Sequence, residues 1–105
     1  MKISFKTISA KVTKTDLLVI LSPEGRTPKL PSGVTIPKSV EASFSGKSRE
    51  TRFADTIDGP AERVLLIGLG KGKSFDLETV RRAAAIAAQK AQKTHAASVT
   101  FWVDL

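Results

Sequence analysis

The chain has 105 residues, of which 41% are hydrophobic and 26% charged, a balance that predicts one soluble globular domain and excludes two. No apolar run reaches the roughly 20 residues of a membrane-spanning helix, and the absence of cysteine excludes disulfides and thiolate metal sites. The net charge of +7 indicates either a basic, well-solvated surface or a face for nucleic acid or an acidic partner.

The first fifteen residues are rich in lysine, serine and threonine and contain no acid. This composition is shared by organellar transit peptides and by basic edge strands. Ile3 and Phe5 alternate with polar neighbours, which favours the strand and makes both residues candidate core anchors. A secretory signal is disfavoured because Lys6 interrupts the apolar run.

The segments that follow predict two strands around an irregular region. Residues 16–21 form a continuous apolar run, typical of a strand buried on both faces. Residues 22–37 contain repeated prolines, which exclude regular helix and predict a long surface loop. Residues 38–44 indicate one short helical turn or an irregular segment. Residues 50–57 alternate weakly, which predicts a strand with one solvent-facing side.

The second half predicts a βαβ unit over residues 63–103 with two parallel strands. An apolar run ending in Gly68 and Gly70 leads through a basic loop into an alanine-rich helix, for which Asp76 is the expected N-cap. A second apolar run follows at residues 98–103. The expected buried face of the helix comprises Leu77, Val80, Ala84, Ala87, Ala88 and Ala91.

The loop between strand and helix lies at the carboxyl end of a strand, where open α/β sheets bind ligands. Its Gly72 and Lys73 match the end of a P-loop, but Ile67 stands where the first glycine is required. The loop is therefore either a simple strand-to-helix turn or an anion site near a helix start. The candidate anion-binding residues are Gly70, Lys71, Lys73, Ser74, Arg81 and Arg82.

No constellation of side chains indicates catalysis or metal binding. His95 is the only histidine, and it has no acidic or cysteine neighbours in sequence. Asp55 and Asp58 are the closest acidic pair outside the helix start, and their position beside Gly59 indicates turn formation. We therefore predict no catalytic residue, no metal ligand and no cofactor in this chain.

Several segments together resemble the N-terminal domain of the leucyl (cytosol) aminopeptidases. They are residues 44–51, residues 60–71, the helix from residue 77 and the strand after it, in the order of that family. The resemblance implies an α/β fold, a mixed sheet flanked by helices, similar to macro domains. It also implies that residues 1–105 are a single domain that corresponds to most of the family's N-terminal domain, with the catalytic domain absent.

By the same resemblance, this chain alone is not an enzyme. It would be the non-catalytic part of a cytoplasmic leucyl aminopeptidase, contributing to oligomer assembly and active-site access. The two divalent metal ions of that family, zinc or manganese in type, are expected only in the separate catalytic domain. The expected partners are that domain or further copies of this chain, and no membrane.

Two further expectations concern binding and association. Macro-like folds bind ADP-ribose or related phosphates, and some family members bind DNA, so a binding module is the alternative function. The chain stops at residue 105, directly after a strand, as a fragment, a truncated product or a stand-alone protein would. Such a stop is expected to leave a sheet edge unpaired at the strand ending in Val103, which favours self-association.

Overall fold

The computed structural model describes residues 2–7, 14–25, 30–31, 33–47, 50–56, 59, 61–70 and 77–103. Five strands and two helices are interspersed along these residues, which confirms the predicted α/β class. The elements are β1 (Lys2–Thr7), β2 (Thr15–Pro23), α1 (Lys38–Ser43), β3 (Thr51–Asp55), β4 (Ala61–Gly70), α2 (Leu77–Lys93) and β5 (Ser98–Val103).

The strands form one five-stranded mixed sheet in the order β1-β5-β2-β4-β3. The pairs β1–β5, β5–β2 and β2–β4 are parallel, whereas β3 runs antiparallel to β4. The predicted βαβ unit is present as β4, α2 and β5. Its two strands are not adjacent, because β2 lies between them and pairs with both.

The edges of the sheet are β1 and β3. The predicted basic edge strand at the beginning of the chain is therefore confirmed. The expected open edge at the strand ending in Val103 is wrong, because β5 pairs with β1 on one side and with β2 on the other. The predicted strand at residues 50–57 is confirmed as the shorter β3, and Ile57 lies outside the described residues.

The core has one layer on each face of β2. Residues 17–21 are all at most 2% exposed, which confirms a strand buried on both faces. The α2-side core contains Leu17, Val19, Leu21, Leu65, Ile67, Ala83, Ala87, Ala91, Val99 and Phe101. The α1-side core contains Leu18, Ile20, Val34, Ile36, Phe44, Ala54, Ala61, Val64, Leu66 and Trp102.

The buried stripe of α2 follows the row Ala83, Ala87 and Ala91. These residues are four apart, so their side chains stack on one face, and their small size lets the helix approach the sheet closely. The prediction that Ala88 belongs to this face is wrong, because it lies about 100° around the helix from Ala87 and is exposed. Asp76 and the side chains of Leu77 and Val80 lie outside the described part.

The described part of the proline-rich segment is not the surface loop expected from its composition. Pro31, Val34 and Ile36 are buried, and the latter two join the α1-side core. Prolines exclude helix here, but they do not prevent alternate apolar side chains from packing on a sheet. The following residues form the short helix α1, one of the two alternatives expected. No helix in the described ranges is long and apolar enough to cross a membrane.

Candidate functional site

The carboxyl ends of β2 and β4 are covered by the chain's own backbone. Residues 44–47, which we call the 44–47 loop, cross this end of the sheet. The N–H of Gly25 donates to the carbonyl of Ser45 at 3.3 Å, and the N–H of Gly70 donates to the carbonyl of Gly46 at 2.9 Å. This backbone therefore lies at the end of the sheet where α/β proteins usually bind ligands.

Two glycines permit this close approach. A Cβ on Gly68 would overlap the carbonyl oxygen of Lys47. Gly46 has a φ of 84°, and a Cβ there would lie 2.5 Å from the carbonyl oxygen of Pro23. Glycine inside a strand often marks a place where another backbone comes close. In this chain, that backbone is the 44–47 loop.

Glu50 holds the 44–47 loop in place. Its Oε1 accepts the N–H groups of Ser45, Gly46 and Lys47 at 3.1, 2.9 and 3.1 Å, and the Ser45 hydroxyl at 2.9 Å. Its Oε2 lies 3.5 Å from Nη2 of Arg52. Successive N–H groups that converge in this way form a nest, which binds anions. Here the anion is a carboxylate of the same chain.

The nest determines the charge of Glu50. Partial burial raises the pKa of this carboxyl, but the hydrogen bonds from the Ser45 hydroxyl and from the backbone amides of Ser45, Lys47 and Gly46 outweigh it. The pKa of Glu50 therefore lies below its ordinary value of 4.5. The carboxylate is ionised, and able to accept all of these bonds, down to moderately acidic pH.

Sequence reasoning missed Glu50. One signal was present, because the carboxylate returns to the N–H of the residue three positions earlier, the spacing of a capping box. The same two residues also close a turn, in which the N–H of Glu50 donates to the carbonyl of Lys47 at 3.0 Å. The bonds to Ser45 and Gly46 follow no equally simple spacing.

The six candidate anion-binding residues are only partly described. Gly70 ends β4 with a φ of 79°, and its carbonyl accepts the N–H of Glu24 at 3.2 Å. Arg81 and Arg82 are exposed on α2, and Nη1 of Arg81 lies 3.8 Å from Oε2 of Glu78. Lys71, Lys73 and Ser74 lie outside the described residues. The anion site therefore stays a prediction, and the N–H of Gly70 is committed to Gly46.

An open cleft of about 310 Å³ lies at the opposite, amino end of the sheet. Its polar lining comes from the ends of β2, β3, β4 and α2, and comprises Asp16, Asp55, Glu62, Arg63, Thr94 and His95. Some of these groups are engaged within the chain: Asp16 accepts the N–H of Ala97 at 2.7 Å, and Arg63 contacts Asp55 at 3.2 Å. Asp58, the other acid of the predicted pair, lies outside the described residues.

His95 terminates α2. Its φ of 57° is left-handed, its N–H donates to the carbonyl of Gln92, and the N–H of Ala96 donates to the carbonyl of Ala91. This is the Schellman arrangement of a helix C-terminus. Across the described ranges, no group of three or more His, Cys, Asp or Glu side chains is placed to hold a metal ion.

Comparison with known proteins gives a consistent result. The profile of the cytosol aminopeptidase family, N-terminal domain, matches residues 21–105. A probable cytosol aminopeptidase of Roseiflexus castenholzii is 41% identical over 83 residues, which are 77% of this chain and 16% of that protein. Another, of Nostoc punctiforme, is 41% identical over 63 residues, 59% of this chain and 13% of the relative.

A solved structure has the same fold. A mutant of tomato leucine aminopeptidase superposes with a TM-score of 0.70 at 20% identity, covering 98% of this chain and 23% of that one.

A third relative, a probable cytosol aminopeptidase of Alkalilimnicola ehrlichii, is 35% identical over 85 residues, which are 17% of its length. The chain thus spans less than a fifth of the length of these curated relatives.

Proposed function

The chain belongs to the cytosol aminopeptidase family, as part of its N-terminal domain, and we propose that it is the non-catalytic domain of a leucyl aminopeptidase-like metallopeptidase. In the longer parent protein it contributes to oligomer assembly and to access to the active site. The family match over residues 21–105 is the observation that carries this proposal. The relatives' name, cytosol aminopeptidase, supports a cytoplasmic protein.

The length of the relatives supports a non-catalytic role for this chain. The chain matches only 13% to 17% of the length of the three relatives compared above, which leaves most of each relative for a catalytic domain. The described residues do not fit a metal pair, since they offer no cluster of His, Cys, Asp or Glu able to hold one ion. We assign the two divalent metal ions to the catalytic domain of the parent.

One surface available for assembly is the face of the sheet opposite α2. Among the described residues, the proline-rich segment and α1 cover this face, and α1 has no fully buried residue. Trp102 lies in this α1-side core at 2% exposure, yet its Nε1 has no hydrogen-bond partner among the described residues. Buried donors are nearly always paired in native proteins. The nitrogen is already enclosed by this chain, so its unpaired state reflects packing inside the α1-side core and does not point to a partner.

The first experiment tests whether the chain is catalytic. The purified chain is incubated with leucine p-nitroanilide and either Mn²⁺ or Zn²⁺, beside a metal-only blank. We expect hydrolysis no faster than the blank. Metal-dependent hydrolysis that is abolished by a chelator would show that this chain contains an active site, and would overturn the proposal.

The second experiment tests assembly and access in a relative. The matched segment of the Roseiflexus castenholzii protein is replaced by this chain, or deleted, and native mass is measured by light scattering. We expect the chimera to keep the relative's native mass, and the deletion variant to lose it or to change its preference between dipeptides and longer peptides. A deletion variant with unchanged mass and unchanged preference would refute both roles.

A further inference from the structure

We propose that Glu50 is a releasable latch, whose ionised carboxylate fastens the 44–47 loop over the carboxyl ends of β2 and β4 and whose protonation lets the loop open. This is a conformational device independent of the proposed function. It rests on the geometry of one oxygen atom and on what the loop covers.

The geometry requires a negative charge. A single oxygen, Oε1, accepts one hydroxyl and the N–H groups of Ser45, Gly46 and Lys47. An ionised carboxylate accepts through all its lone pairs and makes stronger hydrogen bonds than a neutral group does. A protonated carboxyl oxygen cannot hold four donors equally well. Protonation therefore weakens all four bonds together, which gives the loop two discrete states.

Phe44, the first residue of the loop, is fixed by packing in the α1-side core, and residues 45–47 are otherwise held by few hydrogen bonds. Apart from the bonds to Glu50, the described bonds that tie the loop to the turn after β2 and to β4 run from the N–H of Gly25 to Ser45 and from the N–H of Gly70 to Gly46. Both depend on the loop backbone remaining in place. Gly68 is held differently, because its N–H donates to the backbone carbonyl of Glu50 at 2.7 Å. Opening the latch would thus free the N–H of Gly70, while the N–H of Gly68 keeps its bond to the carbonyl of Glu50.

Charged groups of both signs lie on the elements around Glu50 in the closed form. Arg52 in β3 places its guanidinium 3.5 Å from Oε2. Lys47 belongs to the loop itself, Glu24 lies in the turn after β2, and Glu41 lies in α1. The described end of β4 beside the loop, residues 68–70, carries no charged side chain. Glu50 is therefore the acid whose protonation acts directly on the loop.

The experiment is amide hydrogen exchange by NMR on the full chain between pH 3 and pH 7, corrected for the intrinsic exchange rate. We expect protection of the Gly46, Lys47 and Gly70 amides to fall roughly tenfold as the pH drops below the ordinary carboxyl range. The amides of Val19 and Leu65, in the middle of the sheet, should remain protected. In Glu50→Gln, loop protection should be low at every pH, whereas the matched control Glu62→Gln should behave like the wild type.

A rescue measurement guards against a variant that simply folds poorly. In Glu50→Ala, added formate should restore protection of the three loop amides, because a small carboxylate can enter the nest. The latch is refuted if loop protection in the wild type does not change with pH, or if Glu50→Gln keeps the wild-type profile. It is equally refuted if the Val19 and Leu65 amides lose protection together with the loop, since that outcome is global unfolding.

Discussion

The carbonyl oxygen of Lys47 lies against Gly68, in the space that a Cβ atom on that residue would fill. Backbone, not a flexible side chain, occupies that space, so neither partner can give way without moving β4 or the loop. We expect Gly68→Ala to lower the free energy of unfolding by about 2–4 kcal/mol, measured by urea denaturation.

Gly25→Ala is the matched control for this substitution. Gly25 has a φ of 87°, but among the described residues other than its chain neighbours no atom lies within 4 Å of the position that an added methyl group would take, so alanine there meets backbone strain without a collision with them. The cost should be about 1–2 kcal/mol, the usual penalty of a left-handed L-residue. A Gly68→Ala variant no less stable than Gly25→Ala would show that the 44–47 loop does not press on β4.

Two neighbouring alanines of α2 test which face of the helix is buried. Ala87 is fully buried against the sheet, whereas Ala88 is exposed. Ala87→Leu should lower the free energy of unfolding by about 1–3 kcal/mol, because the added methylenes force the helix away from β2 and β4. Ala88→Leu should change it by less than about 0.5 kcal/mol. Thermal unfolding of both variants measures the two changes. Equal losses of stability would contradict this orientation of the helix.

The regular elements were predictable because each is encoded by a local pattern. The continuous apolar run at residues 17–21 could only be satisfied by a strand covered on both faces, and α2 was evident from its helical periodicity. The choice between Ala83 and Ala88 was not predictable, since alanine is compatible with either a buried or an exposed helix face. Only contact with the sheet distinguishes the two.

The contacts at the sheet's carboxyl end were less predictable, because they join distant parts of the chain. The glycines at the end of β4 indicate a close approach by another group, which the sequence pattern alone interprets as a possible ligand. What approaches Gly68 is a loop twenty-one positions earlier in sequence. The insertion of β2 between β4 and β5 likewise depends on long-range pairing. Local patterns identify strands, but they do not determine which strands become neighbours.

His95 offers a stabilising substitution at the end of α2. Its left-handed backbone, with a φ of 57°, is strained for a residue with a Cβ, and glycine adopts it without that cost. We expect His95→Gly to raise the free energy of unfolding by about 0.5–1 kcal/mol, measured by urea denaturation. His95→Ala keeps the Cβ and should bring no gain. A loss of stability in the glycine variant would indicate that the imidazole itself makes a stabilising contact.

Glu50 makes stability depend on pH in one direction. Its pKa in the folded chain lies below the ordinary value of 4.5, because the hydrogen bonds of the nest outweigh the effect of partial burial. When folding lowers the pKa of an acid, the acid stabilises the fold fully at pH values above its pKa in the unfolded chain. That stabilisation is lost as the pH falls through its pKa in the folded chain. The contribution should therefore be constant near neutrality and disappear in acid.

We therefore expect Glu50→Gln to be less stable than the wild type near neutral pH by about 1–2 kcal/mol, the loss of charge-assisted hydrogen bonds at a partly exposed site. The gap should narrow as the pH falls below 4.5, because the wild type then loses the same charge. Urea denaturation of both proteins at a series of pH values measures it, and Glu62→Gln, with an exposed side chain, serves as the matched variant. A gap that is the same at pH 3 and pH 7 would mean that the carboxylate charge does not hold the loop, and that Glu50 acts only by its shape.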